Sequence, residues 1–77
     1  MPKLPRITSR KLLQVLLREG FYIHHQTGSH VNLRHHSKTH LHVVVPGHSG
    51  DLAPKTIKSI ILQCELTVEQ LAALLGQ

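Results

Sequence analysis

The chain contains one cysteine, Cys64, no tryptophan, and only Phe21 and Tyr22 as aromatic rings. A lone cysteine excludes an internal disulfide and a cysteine zinc site. Two aromatics disfavour an RRM or cold-shock surface, which stacks bases on several rings. Acidic residues are equally scarce, with Glu19, Asp51, Glu65 and Glu69 the only four. No pair of them has the spacing of a carboxylate cluster, which argues against a two-metal nuclease. Walker A and GxGxxG phosphate loops are missing. No apolar run approaches the roughly 20 residues of a membrane span. The opening MPKLPRITSR lacks the apolar stretch of a signal peptide. A soluble cytoplasmic protein is therefore expected. Its 77 residues predict one small domain over 1–77, with no room for a two-domain cofactor enzyme.

What the chain does have is positive charge. Nine Lys and Arg against four acids leave +5 at pH 7 with histidine neutral. All nine lie between Lys3 and Lys58, where only Glu19 and Asp51 oppose them, so that stretch carries +7. Such asymmetry points to a polyanion, most simply nucleic acid. There are also eight histidines, all between His24 and His48. Composition alone leaves metal binding, pH response, RNA contact and catalysis open for them.

Hydrophobic spacing predicts the elements. Thr8 or Ser9 is a candidate N-cap for a helix over 9–19, with Leu12, Leu13, Leu16 and Leu17 on one face. Gly20 ends it. Phe21 to Gln26 reads as a strand with Phe21, Ile23 and His25 on one face, which predicts a partly buried His25 and sends His24 to the other face. Thr27-Gly28-Ser29 is a turn signal. His30 to Arg34 alternates polar and apolar, turning Val31 and Leu33 inward and His30, Asn32 and Arg34 outward. His35 to Thr39 reads as a polar connection, and His40 to Val45 as a third strand with His40 and His42 on one face. Pro54 opens a second helix striped by Ile57, Ile60, Ile61 and Cys64. Thr67 and Gln70 form a capping-box pattern for a third, striped by Val68, Leu71, Ala72 and Leu75 and ended by Gly76. That third stripe either completes the core or docks on a partner. The expected fold is α+β: a two-layer sandwich with a three-stranded antiparallel sheet and helices on one face.

By subtraction, the chemistry left to the chain is histidine with basic and hydroxyl help. RNA supplies its own nucleophile, the 2′-OH. Cleavage needs a base for that proton, an acid for the departing 5′-oxygen, and cations for the phosphate. An ordinary imidazole, titrating near about 6.5, serves either proton-transfer role without a metal. His30 is the best-placed candidate, because Gly28 permits close backbone approach and Ser29 could hold a phosphate oxygen. On these residues alone, however, a plain hairpin turn followed by a solvated histidine stands ahead of a catalytic one. Candidate RNA contacts are Arg10, Lys11, Arg34, Lys55 and Lys58. The last two sit in the first turns of helix 2, whose free amides favour phosphate.

A set of short segments adds to this. Gly20-Phe21, Gly28-Ser29-His30, Val45-Pro46-Gly47-His48-Ser49-Gly50, Leu52 and Thr56-Ile57 through Ile61 together resemble the HicA family, from about Pro5 to Leu75. Those proteins are small toxins of type II toxin–antitoxin systems. The resemblance implies a double-stranded-RNA-binding-domain-like fold, α-β-β-β-α with a short C-terminal helix here. It implies a ribosome-independent mRNA endonuclease with its catalytic histidine in the Gly-Ser-His motif, here His30, with Gly28 and Ser29 supporting the turn. It further implies a HicB-type antitoxin partner. The free toxin is expected to be a monomer and its complex with the antitoxin a hetero-oligomer, with no metal or other cofactor. No catalytic role passes to His48. Lys55 stands before Thr56, where relatives often have glycine, and the histidines are denser than the family pattern needs. The alternatives are a non-catalytic RNA-binding module on the same scaffold and a histidine-rich metal-binding protein.

Overall fold

A computed structural model describes residues 4–47 and 50–76. The elements follow as α1 (Ser9–Arg18), β1 (Phe21–Thr27), β2 (His30–His35), β3 (His42–Pro46), α2 (Pro54–Gln63) and α3 (Val68–Leu74). The strands form one antiparallel sheet in the order β1-β2-β3. α1 packs on β1 and β3, and α2 packs on β3. This is the expected α+β sandwich.

The caps explain where the helices begin. The Thr8 hydroxyl accepts from the Lys11 amide at 3.1 Å, so Thr8 is the N-cap of α1. Pro54 occupies the first turn of α2. Thr67 and Gln70 form the reciprocal capping box that starts α3. Between α2 and α3 the chain closes a Schellman turn: Leu66 N–H bonds to Ile61 C=O and Glu65 N–H to Leu62 C=O, with Glu65 left-handed at φ 59°.

The core gathers Leu12 and Leu16 of α1, Phe21, Val31, Leu33, Val43 and Val45 of the sheet, and Ile57, Ile60, Ile61 and Cys64 of α2. Leu71 of α3 is fully buried in the same cluster, with Val68 and Leu75 packed against it, so the third helix completes the core. Burying each of these large aliphatic side chains is worth about 1.5–3 kcal/mol. Val15 is buried while Leu17 is 44% exposed, so the apolar face of α1 is centred one residue away from the four-leucine stripe.

Three expectations about the strands need correction. The first concerns His25. The β1–β2 register shifts between Ile23 and His25, so a bulge interrupts the alternation there. Ile23 stays opposite Leu33, but His25 lands opposite Asn32 and is exposed. It therefore leaves the face of Phe21 and Ile23 and joins the outer face of the sheet. The second concerns His40, which lies in the turn before β3, with its Nε2 3.0 Å from a Glu65 carboxylate oxygen. His40 and His42 do not share a strand face. The third concerns His35, which closes β2 instead of opening the connection. Its Nδ1 accepts from the Ser37 and Lys38 amides, leaving Nε2 to donate to the Glu19 carbonyl at 2.8 Å, and its ring meets Phe21 edge-on.

Candidate active site

The outer face of the sheet is built in three cross-strand rows, because directly paired residues point the same way. Tyr22, Arg34 and His42 form one row, His25, Asn32 and Val44 the next, and Thr27, His30 and Pro46 the third. His30 thus stands at the end of the central strand, exposed, with a neighbour on each side.

The turn leading into His30 is held from several directions. Gly28 and Ser29 make a two-residue hairpin loop, and Gly28 has φ +53°, which glycine adopts without steric cost. The Gly47 amide donates to the Ser29 carbonyl. A Cβ on Gly47 would stand only 3.0 Å from that same oxygen, so a larger residue there would have to push the Ser29 carbonyl back. The Ser9 hydroxyl, the buried polar side chain at the start of α1, donates to the Pro46 carbonyl. Leu52 N–H bonds to Ile7 C=O at 2.8 Å and Thr8 bridges Asp51, which ties the segment after β3 to the start of α1. The Gly-Ser-His hairpin, the Val45-Pro46-Gly47 end of β3 and the first turn of α1 therefore meet at one end of the sheet. The first two were legible as motifs. The Ser9 contact had no signal in the sequence beyond Ser9 being a candidate cap.

The candidate RNA contacts fall into three places. Arg34 is half-buried on the outer face, opposite Tyr22 and His42. Arg10 and Lys11 are exposed on the first turn of α1. Lys55 and Lys58 are exposed on α2, and Lys55 lines a shallow groove of about 320 Å³ with Val44, Thr56, Ser59, Ile60 and Gln63. Gln63 bridges this groove: its Oε1 accepts from the Val44 amide at 3.0 Å and its Nε2 donates to the Ser59 hydroxyl at 3.2 Å. The first of these bonds covers part of the free edge of β3. His42 Nε2 lies 3.3 Å from Asn32 Oδ1, and the Tyr22 and His36 rings stack with centroids 4.6 Å apart. His48 lies outside the described residues.

Cys64 takes no part in this surface. Burial in the core pushes its thiol up to about 12, which keeps it protonated and unreactive. Among the described residues, no three His, Cys, Asp or Glu side chains come together as a metal-binding group. No helix among them is long and apolar enough to cross a membrane.

Comparison with known proteins agrees with the motif pattern. No curated protein matches the chain. A family model described as the HicA toxin of bacterial toxin–antitoxin systems matches residues 9–66, from the first residue of α1 to the link before α3. The match takes in the Gly-Ser-His hairpin, the loop after β3 and the whole of α2, and the chain belongs to the HicA family of toxins of bacterial toxin–antitoxin systems.

Proposed function

We propose that this toxin is a metal-independent endoribonuclease that cleaves mRNA, with His30 as a general acid or base. The observation that carries the reading is the pinned hairpin. Pairing to Thr27 and Pro46, together with the Gly47–Ser29 bond, fixes the backbone that carries an exposed imidazole at a defined point of the sheet. Proton transfer depends on such positioning, and an imidazole at neutral pH can both accept and donate. RNA brings the 2′-OH as nucleophile, so the protein needs neither a covalent intermediate nor a bound hydroxide.

The cations extend the site. Arg34 shares the His30 face and would steady the phosphate. Lys55 and Lys58 would hold the strand further along, beside the α2 groove, while Arg10 and Lys11 flank the Ser9–Pro46 contact. A double-stranded-RNA-binding-domain-like use of this surface belongs to the same proposal. As a toxin of a toxin–antitoxin pair, the protein has an antitoxin as its partner. We assign that role to an acidic HicB-type protein that covers His30, acting in the cytoplasm.

The test uses purified protein, single-stranded mRNA and EDTA. Wild type cuts the RNA, His30→Ala with unchanged circular dichroism does not, and deoxy substitution at the cut nucleotide blocks the reaction. Undiminished cutting by His30→Ala refutes the assignment. Salt-dependent binding with no cutting makes the protein an RNA-binding module instead.

A further inference from the structure

The bulge in β1 has a chemical consequence. Proton transfer during RNA cleavage needs two groups, one to take the 2′-OH proton and one to protonate the 5′-oxygen. His30 can fill one role. We propose that His25 fills the other, which rests on the endoribonuclease reading above.

Register decides which face His25 takes. Strict alternation would place His25 with Phe21 and Ile23, on the face that packs against the helices. The shift between Ile23 and His25 puts it opposite Asn32 instead. Two residues on, Thr27 is opposite His30. His25 and His30 are therefore diagonal neighbours on the outer face, about 7–8 Å apart with their Cβ atoms somewhat closer. Both side chains are exposed. A phosphodiester seated over Thr27 and Asn32 would have an imidazole on either side, and Arg34 lies in the adjoining row.

His24, which the register skips, has no cross-strand partner in the sheet, and two titratable groups in the paired rows, His42 and Tyr22, fit the role less well. His42 is four residues along β3 from Pro46, the partner of His30, which places it about 13 Å away along the strand. Its Nε2 also engages Asn32. Tyr22 shares the row of Arg34 and His42 and stacks on His36. Bulges recur where a strand re-aims a side chain beside an active site.

The step balances without an external reagent. One neutral imidazole takes the 2′-OH proton as the 2′-oxygen bonds to phosphorus. The P–O5′ bond breaks, and the other imidazole, as imidazolium, gives its proton to the 5′-oxygen. The products are a 2′,3′-cyclic phosphate and a 5′-hydroxyl, and solvent exchange resets the two rings.

The experiment compares wild type, His25→Ala, His25→Arg and His30→Ala on an oligoribonucleotide and on its analogue with sulfur at the 5′ bridging position. Sulfur leaves without protonation, so this analogue no longer needs the acid. Wild type should show a bell-shaped pH–rate profile for kcat. His25→Ala should lose one limb and about 10²–10⁴-fold in kcat, the range for a general acid or base, with KM nearly unchanged. His25→Arg should be equally impaired, because it keeps a charge but cannot transfer protons at neutral pH. One of the two alanine variants should recover on the sulfur analogue, and only one. His40→Ala, in the turn beside Glu65, should match wild type.

His25→Ala within about twofold of wild type, or with both limbs intact, overturns the inference while leaving His30 in place. Full activity in His25→Arg also overturns it, since charge alone would then suffice. Wild-type protein that leaves RNA intact overturns the endoribonuclease reading, and this inference with it.

Discussion

Cys64 sits among Ile60, Ile61 and Leu71 in the core cluster, and its thiol is raised from 9.0 to about 12 by desolvation. A thiol that resists ionisation is a poor nucleophile. Native protein at pH 8 should therefore show no reaction with a disulfide reagent, and unfolding in urea should release one reactive thiol. A native thiol that reacts at the unfolded rate would contradict this burial. A folded-state pKa above the unfolded value makes this contribution fully present below about 9 and progressively lost toward 12. Between those values wild type should lose stability that Cys64→Ala does not. At the same scale the histidines divide by their contacts. His35 is bound through both ring nitrogens, His40 leans on Glu65, His36 stacks on Tyr22, and His25 and His30 face outward.

At the scale of elements, the junction between α1 and β1 depends on Gly20. Its φ is +99°, and a Cβ there would lie 2.8 Å from His35 Nε2. That nitrogen already holds the Glu19 carbonyl, so His35 cannot step aside without breaking a bond. Gly20→Ala should cost about 1–3 kcal/mol. For a chain of this size, each kcal/mol lowers Tm by about 4–8 °C. Gly28 has φ +53° but open space around its Cβ, so Gly28→Ala should lose less than Gly20→Ala in the same melting experiment. Equal losses would mean that His35 yields freely. The glycines that end helices and make the hairpin were visible in the sequence, and so were the caps at Thr8 and Thr67. The bulge was not, because β1 carries no glycine or proline at that point. Its position emerges only when β1 is paired with a finished β2.

For the whole molecule the relevant quantity is the uneven charge. Ion pairs among the described residues, Arg6–Asp51 and His40–Glu65, are both exposed, so they neutralise little of the positive field. Single-stranded RNA binding releases about 0.7 counterion per phosphate contact. If Arg10, Lys11, Arg34, Lys55 and Lys58 all engage, the affinity should fall with log salt at a slope near about −3.5. Lys55→Ala should make the slope shallower by about 0.7. A slope near zero in wild type would remove the electrostatic part of the proposal. Both arms of the measurement are filter-binding titrations with the His30→Ala variant, so that cleavage does not deplete the RNA.

The sequence by itself determined which segments become helix or strand, because period and capping are local properties. It also determined the inward face of β2, α2 and α3, and it marked the Gly-Ser-His hairpin. Tertiary structure decided what depends on two segments meeting. The bulge moves His25 to the face of His30 because register is a property of a strand pair. The third strand starts at His42 and leaves His40 beside Glu65, because that strand ends where its pairing with Arg34 ends. The tie from Ser9 to Pro46 joins residues 37 positions apart, and no local pattern announces such a contact. The charge excess was legible as a number, while its division between the open sheet face, the first turn of α1 and the α2 groove required the folded chain.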